Sequence, residues 1–291
     1  MNRMKGKKTT ALVMIYLCIM QMGIGQFYFG SDLSYVNEME FCDAGYAVDD
    51  MATDPFQIFA DHGSNLVRVR LWHTPSWYDD LSQGMRFSDF NDVNHSIQRA
   101  HQSGMDVLLD FHLSDTWADP SRQIAPAAWT SVLNSLPVLQ DSLYNYIYIT
   151  LHQLAQHGDL PKIVQIGNET NRGILLSQAQ NDQGWTLDWS RNSALFNTAI
   201  DAVHAIELLH QQDIKIALHI ADPDAVAWYM DQFHDYGVTD FDIIGMSYYW
   251  QWHEMTFSAV GDVIASLKET YPDKHVMILE TAYPWTTINA D

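Results

Sequence analysis

The sequence predicts a (β/α)8 barrel of the TIM type that is truncated after its seventh strand, and three observations predict it. Short β-rich runs alternate with amphipathic helical stretches from Gln26 onward. Seven strand candidates leave six gaps, and each gap holds a helical segment, which is the pattern of parallel strands joined by crossover helices. Polar and acidic side chains recur at the C-terminal ends of these strands, the face on which such barrels carry their chemistry.

In chain order the strands are predicted at Phe27–Asp32, Asn65–Trp72, Met105–His112, Lys162–Asn168, Ile214–Ile220, Phe241–Tyr248 and His275–Glu280. Helices are predicted near Asp54–His62, Asp89–Ser103, Leu136–His157, Ser190–His210, Asp224–Tyr236 and Phe257–Thr270. Asp54-Pro55 is a helix start, a capping side chain followed by proline at the first helical position. Asp222-Pro223 opens another helix in a similar way. No low-complexity linker or second domain interrupts residues 26–291. Closing the barrel needs one more strand and two more helices, yet the chain stops eleven residues after Glu280. An open seven-stranded barrel would leave unpaired backbone on two edges, which is costly, so truncation is the expectation.

A chain of 291 residues with 47% hydrophobic content can bury a large core, and barrels of ~250 residues fold as one domain. The first residues stand apart. Arg3, Lys5, Lys7 and Lys8 precede a largely apolar run, Ala11 to Met22, and Gly23-Ile24-Gly25 supplies small residues for a signal peptidase. The run is too short to span a bilayer comfortably. Residues 1–25 therefore read as a cleaved secretory signal, which predicts a secreted protein, extracellular or periplasmic. Cleavage leaves Cys42 as the sole cysteine, so no intramolecular disulfide is available. The net charge of −21 becomes more negative still without those four basic residues. Such a balance repels nucleic acid, anionic membrane surfaces and polyuronates, and suits a neutral polysaccharide.

The strand ends carry Asp32, Arg68 and Arg70, Asp110 and His112, Asn168 and Glu169, His219, Tyr248 and Tyr249, and Glu280. A purely structural barrel would need few of these. The run Ile163-Val164-Gln165-Ile166-Gly167-Asn168-Glu169 sets a carboxyl at the barrel mouth with an amide beside it. Val276-Met277-Ile278-Leu279-Glu280 delivers a second carboxyl in the same way. Two carboxyls converging across a barrel mouth are what retaining glycoside cleavage requires, one donating a proton and the other attacking the anomeric carbon. The alternative for either Glu is a solvated or salt-bridged side chain; the strand context and the pairing favour chemistry.

Five blocks carry a family resemblance. They are Gly30-Ser31-Asp32-Leu33-Ser34, Asn65 to Trp72, Asp110-Phe111-His112-Leu113-Ser114-Asp115-Thr116-Trp117-Ala118-Asp119-Pro120, Gly167-Asn168-Glu169, and Glu280-Thr281-Ala282-Tyr283-Pro284-Trp285-Thr286. In these the chain resembles the arabinogalactan endo-β-1,4-galactanases, family 53 of the glycoside hydrolases. The blocks run in family order over nearly all of the chain after residue 25. The resemblance implies a (β/α)8 barrel, retention of configuration, and attack within the β-1,4-galactan side chains of pectin. It implies Glu169 as acid/base and Glu280 as nucleophile. Asn168 then suits the sugar 2-hydroxyl, and Arg70 is expected to hold Glu280 ionised. The resemblance implies that no cofactor is required. Relatives often carry calcium in loops near the seventh and eighth strands, so calcium stays open here. No His-x-x-x-His or paired-Cys spacing marks a zinc site, and no metal ligand is assigned.

The remaining rim residues carry weaker expectations. His112 and His219 read either as contacts to substrate or carboxylate, or as buried structural histidines. Asp115 and Trp117 follow the third strand, where Trp117 suits sugar stacking or loop packing. Of Tyr248 and Tyr249, one is expected on the nucleophile. Trp252 and Trp285 are candidate sugar platforms, and Asp32 belongs to the rim network. The sequence departs from the family after Glu169, where Thr170 to Leu176 lacks the usual aromatic, and at Trp250, where proline is common. Two rivals remain: another retaining barrel hydrolase, such as a β-mannanase or endoglucanase, and a truncated, non-catalytic sugar-binding protein.

Overall fold

A computed structural model describes residues 27–178 and 186–283; the expected signal, residues 1–25, lies outside them. Seven strands form one sheet in chain order: Gly30–Asp32, Leu66–Leu71, Asp106–Phe111, Ile163–Ile166, Lys215–Ile220, Ile243–Ser247 and His275–Glu280. Every neighbouring pair is parallel. They are called the first to the seventh strand below. Helices fill the gaps, the longest being Leu136–His157 and Trp189–His210.

The sheet is curled, and one contact shows it. Strands lie about 4.8 Å apart, so the second and seventh would stand roughly 24 Å apart in a flat sheet. Instead a guanidinium nitrogen of Arg68 lies 2.9 Å from Glu280 Oε1. The fold is the expected (β/α) barrel, with seven of its strands among the described residues. There the first strand pairs with the second alone and the seventh with the sixth alone.

Strand period explains the two faces. Val67, Val69, Val107, Leu109, Val164, Ile166, Ile216, Leu218, Ile244 and Met246 belong to the large core shared with the helices. The alternate residues point inward and change character along the barrel axis. Leu66, Leu108, Ile163, Ala217 and Ile243 form an apolar layer at the base, packed by Met277 and Leu279. One repeat further up come Arg68, Asp110, Gln165 and His219, all buried. Gly245 sits opposite Leu279: a Cβ there would stand 2.2 Å from Leu279 Cδ1 and 2.8 Å from Leu218 O. The polar layer is the floor of the site.

Asp54 caps the helix Pro55–Asp61 as expected, accepting from the Phe56 N–H at 2.8 Å. Asp222-Pro223 does not open its helix. Asp222 O closes a turn with the Ala225 N–H at 3.1 Å, and the helix runs Val226–Asp235. Beyond the predicted elements the chain forms a helix at Val36–Phe41, a small hairpin of Ala47–Val48 with Met51–Ala52, and a turn of helix at Trp250–His253. Each is too short for hydrophobic periodicity to register.

Candidate active site

The fourth strand ends in a turn that sets Glu169 at the mouth. Gly167 takes φ 74°, and Glu169 itself takes φ 47°. A non-glycine residue in this left-handed region costs about 1–3 kcal/mol and persists only where its surroundings hold it, as they often do at functional sites. The turn is held by the Glu169 N–H donating to His219 Nδ1 at 3.3 Å and the Gln123 amide donating to Glu169 O at 3.1 Å.

The two acidic side chains have opposite surroundings. Glu169 Oε1 accepts from the Ser247 hydroxyl at 2.6 Å. Burial, then the charge of Glu280, push the Glu169 carboxyl up to about 7, against the Ser247 bond and the charge of Arg68. Glu280 instead meets two donors: Arg68 at Oε1, 2.9 Å away, and the Tyr249 hydroxyl at Oε2, also 2.9 Å away. A register shift between Met246 and Ser247 pairs Ser247 with Glu280, which brings both strand ends to the same rim.

Arg68 is the hub. Its Nε donates to Gln165 Oε1 at 3.2 Å and one terminal nitrogen to Asp32 Oδ2 at 2.9 Å. The other terminal nitrogen reaches Asp110 Oδ2 at 2.6 Å and Asn168 Oδ1 at 2.7 Å, besides Glu280. Burial opposes ionisation of Asp110, yet Arg68 and His112 hold its carboxyl below the usual range. The guanidinium is surrounded by three carboxylates, so its own pKa rises despite burial.

This corrects the expectation for Arg70. Arg70 does not meet Glu280; its guanidinium lies over the rings of Tyr35, Trp117 and Trp72 at 4.0, 4.3 and 4.7 Å. Arg68 and Arg70 share a face at period two, and alternation alone does not say which reaches across the barrel. Arg68 does, while Arg70 packs among the three rings.

The other expected residues fall into two sets. Asp32, Arg70, Trp117, Tyr249 and Glu280 line one cleft. Asn168 is oriented by Arg68 and by its own amide donating to Ala118 O at 2.8 Å, beneath the rim. His112 and His219 are fully buried: His112 Nε2 lies 3.0 Å from Asp110 Oδ2, and His219 Nε2 lies 3.0 Å from Ser247 Oγ. Asp115 spends both carboxylate oxygens on backbone, accepting from Thr74 N–H at 2.9 Å and Ala127 N–H at 2.8 Å. Tyr248 turns away and donates to Met255 O at 2.7 Å. Trp252 is exposed and packs on Tyr249, with ring centroids 4.5 Å apart. Trp285 lies outside the described residues. Sequence reasoning missed Ser247 and Gln165. Both occupy inward positions by strand alternation, the signal that would have found them. Among the described residues, no group of three or more His, Cys, Asp or Glu is placed to hold a metal ion.

A parallel β/α barrel whose strand ends gather two carboxyls in contrasting environments around one buried arginine is the architecture of a glycoside hydrolase. The profile of glycosyl hydrolase family 53 matches residues 28–291, and the chain belongs to that family. An arabinogalactan endo-β-1,4-galactanase from Cellvibrio japonicus is 44% identical over 291 residues, covering 99% of this chain and 75% of its own length. A solved catalytic domain of the family from Ignisphaera aggregans superposes with a TM-score of 0.78 at 33% identity, covering 90% of this chain and 70% of that one. A fungal β-1,4-galactanase structure gives 0.77 at 28% identity, covering 88% and 74%.

Proposed function

We propose that this glycoside hydrolase is a retaining endo-hydrolase of β-1,4-galactan, with Glu169 as acid/base and Glu280 as nucleophile. The observation that carries the roles is the contrast between the two carboxyls: burial favours a proton on Glu169, while Arg68 and Tyr249 both present donors to Glu280. The galactan substrate is supported by the relatives, an arabinogalactan endo-β-1,4-galactanase and a fungal β-1,4-galactanase.

In the first step a Glu280 oxygen attacks the anomeric carbon as the Glu169 proton passes to the glycosidic oxygen, and the bond to the leaving chain breaks. In the second, water attacks the same carbon, its proton goes to Glu169, and the bond to Glu280 breaks. Two inversions leave the configuration retained. Secretion belongs to the same proposal, since the substrate is an extracellular polymer and residues 1–25 read as a signal; among the described residues no helix is long and apolar enough to cross a membrane.

Reducing-sugar release from linear β-1,4-galactan, mannan and cellulose tests the substrate. Cleavage of galactan alone is expected, and cleavage of mannan without galactan overturns the assignment. Glu280→Gly tests the nucleophile: hydrolysis should fall to background, and added azide should yield a glycosyl azide of inverted configuration. A variant that still hydrolyses galactan would remove Glu280 from the mechanism.

A further inference from the structure

Behind Glu169 stands a buried hydrogen-bond chain that crosses three strands. Ser247, on the sixth strand, donates to Glu169 Oε1 at 2.6 Å, and its oxygen lies 3.0 Å from Nε2 of His219 on the fifth. Neither Ser247 nor His219 has any exposure to solvent. The direction of this chain follows from what faces the other ring nitrogen. The Glu169 N–H donates to His219 Nδ1 at 3.3 Å, and a backbone N–H has no other role to offer. The Gln165 amide nitrogen stands 3.1 Å from the same atom. Gln165 cannot flip without loss, because its oxygen accepts from Arg68 at 3.2 Å and its nitrogen donates to Gly167 O at 3.0 Å. Asn168 Oδ1, 3.0 Å from Nδ1, would serve the opposite tautomer, but its two lone pairs already accept from Arg68 at 2.7 Å and from Gln165 at 3.3 Å.

With donors aimed at Nδ1, the single proton of a neutral ring sits on Nε2 and points at Ser247 Oγ. Burial, then the charge of Arg68, keep the ring neutral, with its pKa pushed down to about 3. Ser247 therefore receives at its oxygen and must give its own hydrogen to Glu169 Oε1. That oxygen is an acceptor in both states of the carboxyl. We infer that His219 and Ser247 confine the acid proton of Glu169 to Oε2, and that Ser247 is a positioning residue for proton transfer. The inference rests on Glu169 being the acid/base. A carboxylic acid free to choose would carry its proton on either oxygen; here the state with the proton on Oε1 is suppressed, so a proton bound to Glu169 is on the oxygen left for the leaving group. Once Glu169 has given the proton up, the same hydroxyl stabilises the carboxylate that must activate water.

The surrounding charges come from the second, third and seventh strands and the loop after the third. Glu280 and Asp119 press the Glu169 pKa upward, and Arg68 and the Ser247 bond press it downward. Arg68, Asp110 and His112 act on His219. Tyr249 stands on Glu280.

The test is Ser247→Ala beside Ser247→Thr, which restores the hydroxyl. kcat/KM is measured from pH 4 to 9 on linear galactan and on aryl β-galactobiosides of graded leaving-group ability. For Ser247→Ala we expect a loss of about 10- to 100-fold on galactan, shrinking to within about threefold for the best leaving group, which needs little acid assistance. The basic limb should move to higher pH, because the carboxylate loses a donor, and Ser247→Thr should return both towards wild type. A loss equal across leaving groups with an unmoved basic limb means that Ser247 only packs, and overturns the inference. If Ser247→Ala does not fold, 15N NMR of His219 in the unmutated enzyme decides: a proton on Nε2 is expected, and one on Nδ1 overturns it. Glu169→Ala runs alongside. If it shows no dependence on leaving group, the acid/base reading itself falls; if it does and Ser247→Ala does not, the relay alone is wrong.

Discussion

Glu169 and Glu280 are the same residue type at the same kind of strand end, and their neighbours give them different surroundings. Glu169 is buried beside one hydroxyl, while Glu280 is gripped by a guanidinium and a phenol. The pH dependence follows with a definite sign. Burial first, and then Glu280, raise the Glu169 pKa from 4.5 to about 7, so the proton-donating form is present below that pH and is lost as pH rises through it. The basic limb of kcat/KM on galactan is expected near pH 7, and a rate that stays level up to pH 9 would contradict the assignment. Tyr249 is no rival acid there, since burial and then Glu280 hold its phenol above the ordinary range. Candidate residues were legible one by one from strand ends; their partners were not. Arg70 was expected on Glu280 and Arg68 is found there. Ser247 bears no motif, and only its neighbours His219 and Glu169, from the fifth and fourth strands, give it a role.

At the scale of elements, the strands do two jobs along their length. Their outward residues in the large core are apolar, whereas their inward residues pass from an apolar base to a polar layer and then to the rim. At Gly245 the inner face has no room for a Cβ. Gly245→Ala would put a methyl 2.2 Å from Leu279 Cδ1, which can move, and 2.8 Å from Leu218 O, which is backbone. A destabilisation of about 1–3 kcal/mol is expected, read from the urea midpoint. An unchanged midpoint would mean that the fifth and sixth strands part without cost. The helix starting at Asp54 was legible because an N-cap and a following proline act locally. Asp222-Pro223 carries the same letters and closes a turn instead, since a dipeptide does not say how many residues a loop spends before its helix.

For the whole molecule, the net charge bears on how the proposed substrate is met. A chain of net charge −21 meets a neutral polymer without electrostatic steering. Galactan hydrolysis is therefore expected to vary by less than about twofold between 10 and 300 mM salt, and polygalacturonate to be neither cut nor inhibitory at low salt. A steep fall of galactan activity with salt would show that charge governs the encounter. The curl of the sheet is the molecular fact behind the site. Without it Arg68 and Glu280, five strands apart, would not touch.

The sequence by itself determined the order of strands and helices, the class of fold, the family resemblance and the two carboxyls, because each is written in local pattern: alternation, periodicity, strand-end chemistry and contiguous motifs. Only the tertiary structure decided which arginine meets Glu280, which tyrosine turns inward, that Asp115 serves loop backbone, and that a serine and a histidine stand behind Glu169. These are contacts between strands, set by sheet curl and register. A single strand does not encode the neighbour that its side chains will face.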